Sequence, residues 1–383
     1  MARYCSKICK DNKSKIGFGI ISFILCITIF VCPILLQKNN KSYAHEDKSS
    51  YIVIENSSHR VLKADNAHIK LPMASTTKIM TALIVLEKVN LNEVITIPNE
   101  AVGIEGSSIY LKKGDKMSIK DLLYGLMLRS GNDAAVALAI HTAGSVDKFV
   151  KLMNDKVKDL GLNNTHFANP HGLSAKNHYT SSYDLAIITS EAFKNSQFEE
   201  IVSTKMHVVK GETEEENRYF ANKNRILYSY DGACGVKTGY TMEAGRCLVT
   251  SSIRNGMQVI AVALNHYNYF DLCASLMDYA HSNYKLEKPI DSQKSYKIVD
   301  VKRGRKVKEA ELHTLVDKYY PVKQDGTEEI KYEVDAIDLI TAPHNKENSC
   351  GEVKIYVGND LIFTEKLYTI YDIEKKSIFD FLR

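Results

Sequence analysis

The chain has 383 residues, 44% hydrophobic and 25% charged, with a formal net charge of +4. That length suits two domains, and such fractions belong to globular proteins able to bury a sizeable core. The small net charge says nothing useful about nucleic acid, and no basic stripe interleaved with aromatics points to such a partner.

Arg3, Lys7, Lys10, Lys13 and Lys15 precede an uncharged apolar run over residues 16–36. This pattern keeps the N-terminus in the cytoplasm and sends the rest outward. Ser42-Tyr43-Ala44 then puts small residues where a signal peptidase reads. Residues 1–44 are therefore expected to be a signal peptide cleaved after Ala44, with an uncleaved membrane anchor as the alternative. Either reading places the body of the protein outside the cytoplasm. Cys5, Cys9, Cys26 and Cys32 lie in this leader, whereas Cys234, Cys247, Cys273 and Cys350 are scattered. The latter read as buried small hydrophobes, without metal-ligand spacing.

Two short apolar runs, 51–55 and 61–64, flank Asn56-Ser57-Ser58 and predict a hairpin. Ile79, Leu83, Leu86 and Val89 have helical spacing, so Ser75 falls at a helix start, where backbone N–H groups are unpaired. Residues 118–160 predict helices in three pieces, the first broken at Gly131-Asn132, and a further helix spans 185–193, braced by Tyr183 and Asp184. Runs 234–240, 247–253 and 258–264 are β-like, with Arg254-Asn255-Gly256 as a tight turn, and a helix is expected over 270–284. From about residue 286 alternating segments such as Ile330-Tyr332-Val334 and Val353-Ile355-Val357 predict a small all-β domain to about 369. The tail, 370–383, is expected to dock or fray, with a membrane-surface helix as the alternative.

Ser75-Thr76-Thr77-Lys78 sets a hydroxyl and an amine one helical turn apart. A lysine of depressed pKa can deprotonate such a serine. The spacing alone is weak, because Ser145-Val146-Asp147-Lys148 and Ser282-Asn283-Tyr284-Lys285 repeat it on what read as solvated helix faces. Two further groups give it meaning: Ser130-Gly131-Asn132 at a helix break and Lys237-Thr238-Gly239 in an apolar run.

In this order the three groups resemble the active site of serine penicillin-binding proteins and β-lactamases. The segments 74–82 (ASTTKIMTA), 106–111 (GSSIYL), 130–135 (SGNDAA), 169–173 (NPHGL), 237–241 (KTGYT) and 245–249 (GRCLV) narrow the resemblance to the low-molecular-mass D-alanyl-D-alanine carboxypeptidases. It covers residues 48 to 285 and implies an α/β (α+β) fold: a β-lactamase/transpeptidase-like catalytic domain over 45–285, with an antiparallel sheet packed by helices, and the small β domain over 286–369 behind it. It implies that Ser75 attacks the penultimate D-alanine carbonyl of peptidoglycan pentapeptides, that Lys78 takes its proton under pressure from the Lys237 charge, and that Ser130 relays a proton to the leaving amine. Asn132 would bind the substrate amide and fix Lys78. Lys237 and Thr238 would hold the terminal carboxylate, Gly239 would leave room for substrate beside the strand, and the N–H groups of Ser75 and Tyr240 would form the oxyanion hole. No cofactor or metal is implied. The implied partners are the peptidoglycan stem, β-lactams as covalent inhibitors and the cytoplasmic membrane, in a role in cell-wall biogenesis and cell shape. The implied place is the outer face of a bacterial cytoplasmic membrane, or secretion from it.

The resemblance has two departures. Some relatives carry a carboxylate-binding arginine just after the strand that follows the Lys-Thr-Gly hairpin, where this chain reads Asn265-His266-Tyr267. A class A β-lactamase would carry a glutamate on the loop facing the nucleophile, and residues 165–178 contain no Glu or Asp. A β-lactamase, a D-alanyl endopeptidase and a non-catalytic penicillin sensor stand as alternative readings. His171, a lone loop histidine, is expected to be structural.

Overall fold

The computed structural model describes residues 48–211 and 213–377. The expected leader at 1–44, with its four cysteines, and positions 378–383 of the tail lie outside the described residues.

The N-terminal hairpin is β1 (Ser50–Glu55) and β2 (Val61–Asp65). After a 3-10 turn at Ala74–Thr77 comes α1 (Lys78–Lys88). Two short antiparallel pairs, too brief for their alternation to stand out, are β3 (Val94–Thr96) with β4 (Lys116–Ser118), and β5 (Met206–Val209) with β6 (Arg218–Ala221). The expected helical stretch resolves into α2 (Ile119–Leu128), α3 (Asn132–Ala143) and α4 (Val146–Asp159). Then come α5 (Ser182–Phe193), α6 (Ser196–Ser203) and α7 (Ile226–Ser229). The cap of α5 is Ser181, which accepts from Asp184 N–H, while the Asp184 carboxylate accepts from Asn164 N–H and the Thr165 hydroxyl. Asp184 thus braces the preceding loop against the start of α5.

Strands β7 (Ala233–Thr241), β8 (Gly245–Arg254) and β9 (Met257–Leu264) complete a five-stranded antiparallel sheet, ordered β2-β1-β9-β8-β7. Its central strand explains its own sequence. Ile260, Val262 and Leu264 enter the core shared with α1–α6, while Val259, Ala261 and Ala263 enter a second core. A strand covered on both faces needs an unbroken apolar run. Helix α8 (Tyr269–Asn283) covers the second face with Cys273, Leu276, Met277 and Ala280, the 3–4 spacing of one helical stripe. Helix α1 is buried nearly all round from Lys78 to Val85, which makes it the axis of the first core.

Strand β10 (Tyr284–Ile290) leaves α8 directly and pairs with β13 (Lys318–Lys323). Strands β11 (Lys297–Lys302), β12 (Glu309–His313), β14 (Ile330–Ala336), β15 (Leu339–Thr341), β16 (Gly351–Val357) and β17 (Asp360–Thr369) form a six-stranded sheet ordered β14-β16-β17-β12-β11-β15. Beyond it Ile373 is 2% exposed in the β core, and its backbone bridges to His344. The described part of the tail therefore docks and forms no helix. Arg60, beside β2, reaches this region: it pairs with Glu328, donates to the Pro321 carbonyl, and stacks 5.2 Å from the Tyr284 ring and 5.0 Å from the Tyr320 ring.

Cys234, Cys247, Cys273 and Cys350 are free and buried, as expected of small hydrophobes. Among the described residues, no helix is long and apolar enough to cross a membrane, and no His/Cys/Asp/Glu cluster suits a metal ion.

Candidate active site

The turn carrying Ser75 is entered through Ala74 at φ +47°, a conformation that a residue with a Cβ keeps only when its surroundings impose it. Those surroundings are visible. The Thr76 hydroxyl donates to the Met73 carbonyl at 2.6 Å and the Thr77 hydroxyl to the Ala74 carbonyl at 2.8 Å. His178 Nδ1 accepts from Ala168 N–H, so its Nε2 carries the proton and donates to Thr77 Oγ1 at 2.8 Å. Burial lowers the His178 pKa to about 4, which keeps the ring neutral in this role. Gly172 lies against the same turn: a Cβ there would stand 1.9 Å from the Ala74 carbonyl oxygen, and its φ is +92°. Only glycine fits.

Lys78, the first residue of α1, is fully buried, and its Nζ lies 3.0 Å from Ser75 Oγ. The amine also donates to Asn132 Oδ1 at 2.7 Å and to the His171 carbonyl. Its pKa sits well below the usual lysine value, first because of burial and second because of the Lys237 charge. Desolvation, rather than the neighbouring cation the sequence pointed to, is the larger cause. A neutral amine has two hydrogens and one lone pair. With both hydrogens on fixed acceptors, the lone pair is left for the Ser75 hydroxyl.

Ser130 and Asn132 lie at the break between α2 and α3. Ser130 adopts φ +65° and is 6% exposed, although its side chain makes no hydrogen bond to Ser75, Lys78 or Lys237. Asn132 Nδ2 donates to the Glu105 carbonyl, and Asn132 N–H to the Ser107 carbonyl at 2.7 Å. Asp133, 1% exposed, accepts from the Ser108 hydroxyl and from the N–H groups of Ile109 and Leu111. These bonds pin segment 106–111 to the start of α3, and they occupy the carboxylate next to Asn132.

The other side of the cleft is β7. Among the described residues it is an edge strand, paired only with β8, so an extended peptide can add alongside it. Lys237 is 2% exposed, donates to the Thr238 carbonyl at 2.9 Å, and burial lowers its pKa to about 7. A Cβ on Gly239 would lie 3.1 Å from Met73 O, Ala74 Cβ and Ser75 N. The missing side chain thus makes room for the Ser75 turn. The Tyr240 side chain is 66% exposed at the rim.

The sequence missed three supports. Asp133 holds segment 106–111, His178 holds the Ser75 turn, and segment 169–173 acts through the carbonyl of His171, while the imidazole, its pKa lowered by burial to about 3, accepts from Leu173 N–H. Asn169 shapes that loop by accepting from Gly172 N–H at 2.7 Å and donating to the Leu173 carbonyl at 2.9 Å. Asx loops can be read from sequence; a carbonyl that faces a distant amine cannot.

Residues 37–268 match the family model described as D-alanyl-D-alanine carboxypeptidase, peptidase S11, and residues 284–375 match that of the penicillin-binding protein 5 C-terminal domain. The D-alanyl-D-alanine carboxypeptidase DacF of Bacillus subtilis is 33% identical over 355 residues, covering 90% of each chain. That of Streptomyces sp. K15 is 41% identical over 206 residues, half of this chain and 71% of its own. Penicillin-binding protein 5 from Haemophilus influenzae superposes with a TM-score of 0.71 at 27% identity, over 85% of this chain and 97% of its own. These relatives favour the carboxypeptidase reading over its alternatives. The chain belongs to the S11 family of serine-type D-alanyl-D-alanine carboxypeptidases.

Proposed function

We propose that this protein acts outside the cytoplasm, where Ser75 forms an acyl-enzyme with peptidoglycan pentapeptide stems and releases their terminal D-alanine. The observation that carries the residue roles is the setting of Lys78 Nζ, held by Asn132 Oδ1 and the His171 carbonyl 3.0 Å from Ser75 Oγ. Ser75 Oγ attacks the penultimate carbonyl while its proton passes to Lys78. The N–H groups of Ser75 and Tyr240 stabilise the oxyanion. The C–N bond then breaks as Ser130 relays the proton to the departing amine. Lys78, neutral again, is the base nearest the ester, since Asp133 is occupied and loop 165–178 has no carboxylate. It activates the water that frees Ser75. Lys237 and Thr238 hold the terminal carboxylate, and a β-lactam would acylate the same serine.

Residues 1–44 serve export or anchoring at the cytoplasmic membrane, 45–285 form the catalytic domain, and 286–369 form the β domain. Incubation with diacetyl-Lys-D-Ala-D-Ala should release D-alanine with the wild type and not with Ser75→Ala. Activity surviving in that variant would overturn the assignment. Mass analysis of the N-terminus from cells tests the leader: a start at His45 supports cleavage, Met1 in the membrane fraction supports the anchor, and recovery from the cytoplasm sinks both.

A further inference from the structure

The stretch after β9 carries no arginine, yet the fold brings a guanidinium to it from another strand. Arg246, near the start of β8, is exposed, and its Cζ lies 5.6 Å from the Tyr267 ring centre and 5.7 Å from that of Tyr269. His266 N–H donates to the Arg246 carbonyl at 3.0 Å, which ties the same stretch to β8. Among the described residues no carboxylate pairs with Arg246.

The register of the hairpin shows what this cation faces. Arg246 pairs with Tyr240, Leu248 with Thr238, and Cys247 with Gly239. Leu248 packs into the α8-side core and Cys247 into the α1-side core. Strand side chains alternate, so Thr238, Tyr240 and Arg246 share one face of the hairpin, and Lys237 and Gly239 the other. Diagonal neighbours across two strands lie roughly 7–8 Å apart, within the reach of an arginine side chain. Lys237 and Arg246 thus approach the strand bearing Thr238 from its two faces.

We propose that Arg246 is a substrate-binding residue, whose guanidinium pairs with the terminal D-alanine carboxylate beside the Thr238 hydroxyl. Its planar fork matches a carboxylate, and it stays charged at every working pH. Lys237, with a pKa near 7, is only partly charged at neutrality in the free enzyme. The tyrosine rings hold the guanidinium in place without neutralising it, so no ion pair has to break when substrate arrives. The arginine missing after β9 is supplied from β8.

This inference rests on the acyl-serine reading proposed above, and the test separates the two. Wild type, Arg246→Gln and Arg246→Lys are assayed on diacetyl-Lys-D-Ala-D-Ala and on diacetyl-Lys-D-Ala methyl ester, whose leaving methanol carries no carboxylate. Arg246→Gln should lower kcat/KM on the peptide roughly tenfold or more, mainly through KM, as loss of a charge-assisted hydrogen bond would. The ester should be hydrolysed as by wild type, and Arg246→Lys should recover part of the loss. If Arg246→Gln changes neither substrate, or slows both alike, the residue only braces the 265–269 stretch and the proposal falls. A wild type inactive on both substrates, or an active Ser75→Ala, would overturn the acyl-serine reading and this inference with it.

Discussion

Lys78 and Lys237 are both buried and both lie below the usual lysine pKa, yet their surroundings differ in kind. The Lys78 amine meets Ser75, Asn132 and the His171 carbonyl, and each of these is itself held by the Ala74–Thr77 turn, segment 106–111 or the Asn169 loop. Among the described residues the Lys237 amine donates only to the carbonyl of its own neighbour, Thr238. One wall of the cleft is complete before substrate arrives, and the other keeps unused donors beside an open strand edge. On the roles proposed above, groups that move protons are preset, where misplacement is costly in rate, while groups that read substrate wait for it.

Removing the preset side should cost most. Lys78→Met should slow acylation by a fluorescent penicillin by about 10³-fold, the scale of a lost general base. Labelling at the wild-type rate would place the base elsewhere. Asp133→Ala strands the N–H groups of Ile109 and Leu111 and the Ser108 hydroxyl. It should lower stability by about 2–4 kcal/mol in urea unfolding and loosen Asn132 with it. A normal midpoint would show that segment 106–111 holds itself.

His178 gives a smaller effect with a defined sign. Its pKa is about 4 when folded against 6.5 for the unfolded ring, so below pH 6.5 the unfolded chain binds the extra proton first. Its contribution is complete above 6.5 and is lost as pH falls towards 4, by at most about 3 kcal/mol. His178→Gln should flatten that part of the stability profile. On the waiting side, KM for the peptide should rise several-fold between pH 7 and 9 as free Lys237 loses its proton, while kcat holds because bound carboxylate restores it. A level KM would remove Lys237 from carboxylate recognition.

The same contrast explains what the sequence revealed. The sheet was legible because β9 is apolar from Val259 to Leu264 and β1, β8 and β9 are joined or flanked by recognisable turns. Three Ser-x-x-Lys runs were indistinguishable by spacing, and the fold separates them by burial. Ser145 is a helix cap that accepts from Lys148 N–H, and exposed Ser282 lies in the last turn of α8 while Lys285 lies in β10 and pairs with Glu287 at 2.6 Å. Asp133, His178 and the His171 carbonyl act across loops far apart in the chain, and no local pattern records such meetings. Arg246 lay within a recognised segment, but its position relative to Thr238 depends on strand register, which only the folded hairpin fixes.

Arg60 has a bearing on how the enzyme meets its polymer. It grips Glu328 and Pro321 from the β2 end of the sheet, and β7 is the opposite edge. Four strand spacings, roughly 19 Å, separate those edges. The Arg60 contacts therefore fasten residues 320–328 at the β2 side of the sheet, away from the β7 edge. A peptide added at β7, as proposed above, would lie on the side of the sheet away from that fastening.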